Sequence, residues 1–278
     1  MGNKKIGLGL MLNLIGAMFA YLIGSGFASG QETMQYFSGW GSVWASLGVA
    51  AIALLLSCLA YIAYSYAGRT RGLQDLAGIY DFYAGNVFGK LFQVFAWLFN
   101  ACCYMFMISA FVGTIGYNLR EYKFIYNQLI MIISSGGIML VSFLMGLNHI
   151  GNIQAAVQAS IPNLLLANSV FGGNAGIILS LLFAIIILAA IFSTICPMLW
   201  TCASMLAKDD KSKKYKLICV IAGICVYIIT LFVPYETLLN YIMTYCGYSG
   251  CVVAVVCIVR YFIIKSRDKK EGLFTESV

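Results

Sequence analysis

The stretch Ile23-Gly-Ser-Gly-Phe-Ala-Ser-Gly-Gln-Glu-Thr-Met-Gln-Tyr-Phe37 interrupts an apolar run that begins at Ile6. Gly24, Gly26 and Gly30, with Ser25 and Ser29 among them, fall where a helix entering a bilayer would be well inside it. Glycine admits backbone angles closed to other residues and lets a second backbone come near. Main-chain N–H and C=O groups released by a break cannot stay unpaired in hydrocarbon, so they line a cavity or hold something. The N–H groups that open the resumed helix suit a carboxylate. The carbonyls left on the first half suit a cation. Discontinuous helices of this kind build the midplane sites of secondary transporters. The competing reading is close packing of helices through small residues. Three glycines and two serines, followed at once by Gln31 and Glu32, are dense for that purpose.

The rest of the chain supplies the membrane. Of 278 residues, 62% are hydrophobic and only 10% charged, with a mean hydropathy of +0.89. Soluble domains carry about 25% charged residues, so this chain cannot clothe itself in a solvated surface. An ordinary cytosolic enzyme, a disordered chain and a nucleic-acid binder are all excluded as expectations. The partners expected are the lipid bilayer and a small-molecule substrate, with no nucleic acid. Ten cysteines lie in or beside apolar runs without CxxC pairing, which reads as packing rather than metal binding. The run after Lys4 and Lys5 is too long for a signal-peptide core.

A helix needs about 20 apolar residues to cross about 30 Å of hydrocarbon. Seven candidates meet that need: the broken run from Ile6 to Phe37, then Val43–Ala67, Val87–Gly116, Tyr126–Leu147, Gly176–Leu206, Leu217–Val233 and Leu238–Ile264. All are apolar on every side, which favours helices over barrel strands. Three regions follow: 1–147 with four spans, a connecting segment 148–175, and 176–278 with three spans and a basic tail.

Charge then sets orientation. Lys4 and Lys5, the Arg69–Arg71–Lys90 group, the Lys208–Lys216 cluster and the Lys265–Lys270 tail are basic. The positive-inside rule places all four, and both termini, in the cytoplasm. The count of crossings then fails by one between Leu147 and Gly176. The intervening segment carries Asn152, Gln154, Gln158, Pro162, Asn163 and Asn168. It reads poorly as a lipid-facing span and better as an interfacial helix or a loop packed on other helices.

Ile23 to Glu32, the following Met34-Gln-Tyr-Phe37 and the stretch Ile185–Pro197 resemble the YkvI-like family of bacterial membrane proteins. That family is similar to the amino acid–polyamine–organocation transporters of the LeuT fold. The resemblance covers about residues 6–150 and 155–265. It implies an all-α, LeuT-like bundle with a discontinuous first helix. It also implies a substrate site at Gly24, Ser25, Gly26, Phe27, Ala28, Ser29, Gly30 and Glu32, with Asn100 and Tyr104 from the third span. A sodium ion would be held by the carbonyls of Ala20, Ile23 and Ala190 and the hydroxyls of Ser193 and Thr194. Two hydroxyls three and four positions beyond Ala190 share its helix face, although serine and threonine in membrane helices also bond back to the preceding turn. Three central spans of the family's ten look absent, which agrees in parity with the charge count.

The function expected is a symporter of a small solute such as an amino acid, coupled to sodium or protons. The alternative is a shortened, non-transporting membrane protein or assembly subunit. No enzyme chemistry is visible: there is no nucleophile–base pair, phosphate loop or metal cluster, and no cofactor beyond sodium. Glu32 is the ionisable group at membrane depth, and such groups are functional candidates. His149 sits at a span end and reads as interfacial. Trp40, Trp44, Tyr241 and Tyr245 read as interface anchors.

Overall fold

A computed structural model describes residues 4–36, 38, 42–98, 104–151, 153–159, 161–165, 173–207, 211–232 and 235–272. Among them the regular structure is helical: α1 (Leu8–Leu22), α2 (Ser25–Ser29), α3 (Gln31–Tyr36), α4 (Val43–Arg71), α5 (Leu76–Leu98), α6 (Tyr104–Asn118), α7 (Phe124–Gly151), α8 (Ile153–Gln158), α9 (Gly173–Leu206), α10 (Lys213–Phe232) and α11 (Tyr235–Lys270). Among the described residues four stretches are long and apolar enough to cross a membrane: Val43–Arg71, Phe124–Asn148, Gly173–Phe192 and Tyr248–Lys270, with mean hydropathy 2.2, 2.1, 3.0 and 1.8. Ile177, Leu181, Ile185 and Phe192 on α9 are each more than half exposed, as are Ile52 and Leu55 on α4. Apolar side chains set outward in this density need lipid as their solvent.

The described chain forms two compact units: Met1–Met11 with Leu59–Met131 and Cys196–Val278, and Leu12–Cys58 with Ile132–Ile195. In the first unit every residue from Ala60 to Arg69 on α4 is buried. Tyr64, Tyr66, Tyr80 and Tyr83 are among its largest fully buried side chains. A buried phenol must find an acceptor. Tyr83 donates to the Ala63 carbonyl, and Tyr66 donates to Asp268 Oδ2 at 2.8 Å. Asp268, 1% exposed, also takes the Arg71 guanidinium at 2.9 Å. Arg69 donates to the carbonyls of Leu119 and Tyr122. Lys4 pairs with Glu121 at 2.6 Å.

The segment after α4 departs from the sequence expectation. Val87–Gly116 was expected to cross once, yet two features of the structure oppose that, one just ahead of the run and one at its end. First, α5 reverses at Gly85, whose φ of 76° and ψ of 170° suit glycine alone. Gln93 Nε2 reaches Asp81 Oδ1 at 3.0 Å, and the Tyr80 and Phe92 rings meet edge to face at 6.0 Å. Twelve residues of straight helix would separate those positions by about 18 Å. Second, α6 returns to the start. A side chain on Gly72 would touch the Tyr117 ring, and a Cβ on Gly113 would lie 2.8 Å from the Leu73 carbonyl oxygen. The chain from Gly72 to Tyr122 therefore leaves the end of α4 and comes back to it. Hydropathy counts apolar residues but carries no direction, so one long apolar run and a reversal look alike.

In the second unit α1 and α7 pack closely: a Cβ on Gly137 would stand 2.6 Å from Phe19 Cζ. Ser38 Oγ donates to the Gly146 carbonyl at 3.0 Å. The segment 153–165 forms the short helix α8 and a turn at 161–165, whose Leu164 and Leu165 N–H groups both reach the Ile161 carbonyl.

Candidate functional site: the break between α1 and α3

The first apolar run is broken, though more sparingly than expected. Unwinding across all of Gly24–Gly30 was anticipated; it is confined to the two ends. Gly24 is extended, with φ −91° and ψ 179°. Gly30 is left-handed, at φ +88°, which an L side chain rarely adopts. Between them Ser25–Ser29 forms a single helical turn, closed by Ala28 N–H on the Gly24 carbonyl at 2.9 Å. Ser29 Oγ bonds back to the Gly26 carbonyl at 2.9 Å. The small polar residues thus preserve a turn where they were expected to melt it.

The Phe27 carbonyl accepts the Gly30 N–H at 3.1 Å, and it and the Ala28 carbonyl also find a distant partner. Asn163 Nδ2 donates to the Ala28 carbonyl at 3.0 Å and to that of Phe27 at 3.4 Å. Asn163 is 7% exposed. A Cβ on Gly30 would lie 2.6 Å from Asn163 Oδ1, so this glycine is needed for space as well as for its angles. Gln31 Nε2 reaches the Ala159 carbonyl at 3.4 Å. The amide-rich segment that made a poor span is therefore docked on the break through Asn163 and Ala159. Asn163 was noted in the sequence only as an awkward polar residue. Its role leaves no signal in spacing, because the partner lies 135 positions away.

Glu32 and Thr33 open α3 beside this turn. The Glu32 carboxyl lies against Gly26: a Cβ there would be 2.2 Å from Oε1 and 2.7 Å from Cδ. Thr33 is 1% exposed and its hydroxyl has no hydrogen-bond partner among the described residues. The same holds for Ser134 and Ser135 on α7 and Ser180 on α9. Orphaned hydroxyls of this sort ordinarily answer to water or ligand.

The remaining expected residues fall as follows. Ile23 keeps its N–H on the Phe19 carbonyl at 2.9 Å and is partly buried, whereas Ala20 is exposed. Ala190 is buried on α9. Ser193 and Thr194 continue that helix, with side chains outside the described residues, and so does the side chain of Tyr104 at the start of α6. Asn100 lies outside the described residues altogether. Among the described residues no three His, Cys, Asp or Glu side chains gather as a metal site would require. No family model, curated protein or solved structure matches this chain.

Proposed function

We propose that the chain is a multi-pass secondary carrier of the cytoplasmic membrane that moves a small zwitterionic solute, such as an amino acid, through the break between α1 and α3. One observation carries the reading: a helix in an apolar chain is interrupted twice, and at the second break a side-chain amide from far along the chain holds the Ala28 carbonyl and shares that of Phe27 with the Gly30 N–H. In this reading the carboxylate of the solute meets N–H groups around Gly24–Gly30. Asn163 is the group that exchanges partners as the break opens to one face or the other. The kinship with LeuT-type carriers suggested by Ile23–Phe37 and Ile185–Pro197 points the same way.

The reversal between Gly72 and Tyr122 supports the orientation. A segment that returns to its origin makes an even number of crossings. With one crossing each for the α1–α3 run, α4, α7, α9, α10 and α11, all four basic clusters and both termini come to the cytoplasmic face. The odd crossing that argued for a missing central block is thereby accounted for, and the shortened, non-transporting reading loses its charge-based support. The test is uptake or exchange of radiolabelled amino acids by purified protein in proteoliposomes. Saturable exchange that falls in Gly30→Ala supports the carrier. Absence of flux for every amino acid, under sodium and pH gradients alike, overturns it.

A further inference from the structure

Glu32 is the only Asp, Glu, Lys or Arg in the sequence of the unit that holds the break, 12–58 and 132–195. It is partly buried, and its carboxyl rests on the main chain of Gly26, where any larger residue would collide with Oε1, Cδ and Cγ. Neither oxygen has a hydrogen-bond or ion-pair partner among the described residues. The amides beside it are already committed: Asn163 to the carbonyls of Phe27 and Ala28, and Gln31 to that of Ala159. The α2 turn that faces it carries no titratable side chain, and neither does the 161–165 turn. Tyr36 lies on its own helix, and Tyr21, Cys58 and His149 complete the titratable groups of the unit. An ionised carboxylate left in this setting is costly, and the chain offers it no cation.

We propose that Glu32 is the coupling group of the carrier and that the coupled ion is a proton. This rests on the carrier reading and goes beyond it. A hard metal cation takes several oxygen ligands at once. Here the Gly26, Phe27 and Ala28 carbonyls already accept hydrogen bonds from Ser29 and Asn163. A proton needs only the carboxylate: one O–H bond forms on Glu32 as one breaks on the hydronium that delivers the proton, water leaves, and the charge on Glu32 is cancelled. Neutralised, the unit carries no formal charge from its acidic and basic side chains, so the break can change its exposure without dragging an unpaired carboxylate through hydrocarbon. Ionised, Glu32 holds the carrier at the aqueous face where the proton was lost.

Two measurements on the full chain in lipid test this. Infrared titration of wild type minus Glu32→Gln is expected to show a protonated-carboxyl C=O band that fades as pH rises. A difference spectrum without such a band, or with one that pH does not move, overturns the proposal, and it does so without any solute. Exchange and accumulation of a mixture of radiolabelled amino acids form the second arm. Wild type is expected to accumulate label under an inward pH gradient. Glu32→Gln is expected to lose that accumulation and any response of exchange to pH, and Glu32→Asp to recover part of both. Accumulation driven by sodium with no response to the pH gradient overturns the proposal and leaves the carrier intact. A thermal melt of purified Glu32→Gln shows whether the variant is folded; if it is not, the Glu32→Asp response to the pH gradient decides.

Discussion

Gly68→Ala is expected to destabilise the first unit by about 2 kcal/mol. The contact between α4 and α6 is backbone on backbone. A Cβ on Gly68 would lie 1.8 Å from the Gly113 carbonyl oxygen, and one on Gly116 would lie 2.0 Å from that of Ser65. The pairing is reciprocal, Ser65 with Gly116 and Gly68 with Gly113, so small residues three apart on each helix interlock. Ordinary contact begins near 3.4 Å, and 3.4 minus 1.8 requires the two backbones to part by 1.6 Å. No rotamer change relieves a clash with a carbonyl. Overpacking of this sort costs about 1–3 kcal/mol, and a rigid backbone partner puts it at the upper end. Alanine recovers about 1 kcal/mol of helix propensity over glycine, which leaves about 2. The assay is unfolding of the purified protein in detergent, followed by dye labelling of its cysteines as they become exposed. Gly48→Ala is the matched control: it sits on the same helix and its Cβ would meet nothing within 4 Å. It should be neutral or stabilising by up to about 1 kcal/mol. If Gly68→Ala proves as stable as Gly48→Ala, the interlocked crossing is wrong, and with it the return of α6 to α4.

Asn163→Ala removes the donor from the Phe27 and Ala28 carbonyls, and should cost about 1–3 kcal/mol; hydrogen exchange of amides 24–31 should quicken while those of α11 stay unchanged. Arg71→Ala leaves the buried Asp268 carboxylate with Tyr66 alone, and loss of one partner of a buried pair costs about 3–5 kcal/mol; Asp268→Asn should be milder, and equal effects in a thermal melt would refute the assignment. The Lys4–Glu121 pair is exposed, with side chains 68% and 58% accessible. The hydrogen bond and then the charge of Lys4 hold the Glu121 carboxyl below its usual range, while the same two effects of Glu121 raise Lys4. The carboxylate's contribution is therefore present above its ordinary pKa and fades as pH falls through the lowered one. That of Lys4 is present below its ordinary value and fades as pH rises through the raised one. Glu121→Gln should flatten the acid limb of a melting-temperature profile, an effect that shrinks in high salt.

The membrane class was legible because charge is a conserved quantity of the composition: 10% charged residues cannot solvate a surface whatever the fold. The break was legible for a local reason, since glycine is the residue that reaches the φ of +88° found at Gly30. Its extent was misjudged because Ser29 turned its hydroxyl back onto Gly26 and kept a helical turn that composition alone would dissolve. The reversal at Gly85 falls just ahead of the apolar run that begins at Val87. Its traces were the Gly85–Asn86 pair and the polar side chains of Asp81 and Gln93 that now meet across it. The docking of Asn163 could not be read at all, since a hydrogen bond between residues far apart imprints no period on the chain.

That long-range bond bears on how the protein is made. The Phe27 and Ala28 carbonyls emerge early relative to their partner, since Asn163 is synthesised 135 residues after Ala28. At about 5–20 residues per second, the nascent chain waits on the order of ten seconds or more for the amide that completes its first helix. Over that interval the ribosome-bound precursor must keep those two oxygens in the insertion machinery, in water or in a transient straight helix. Glycine makes the break at Gly30 possible locally, and the late segment supplies the amide that closes it.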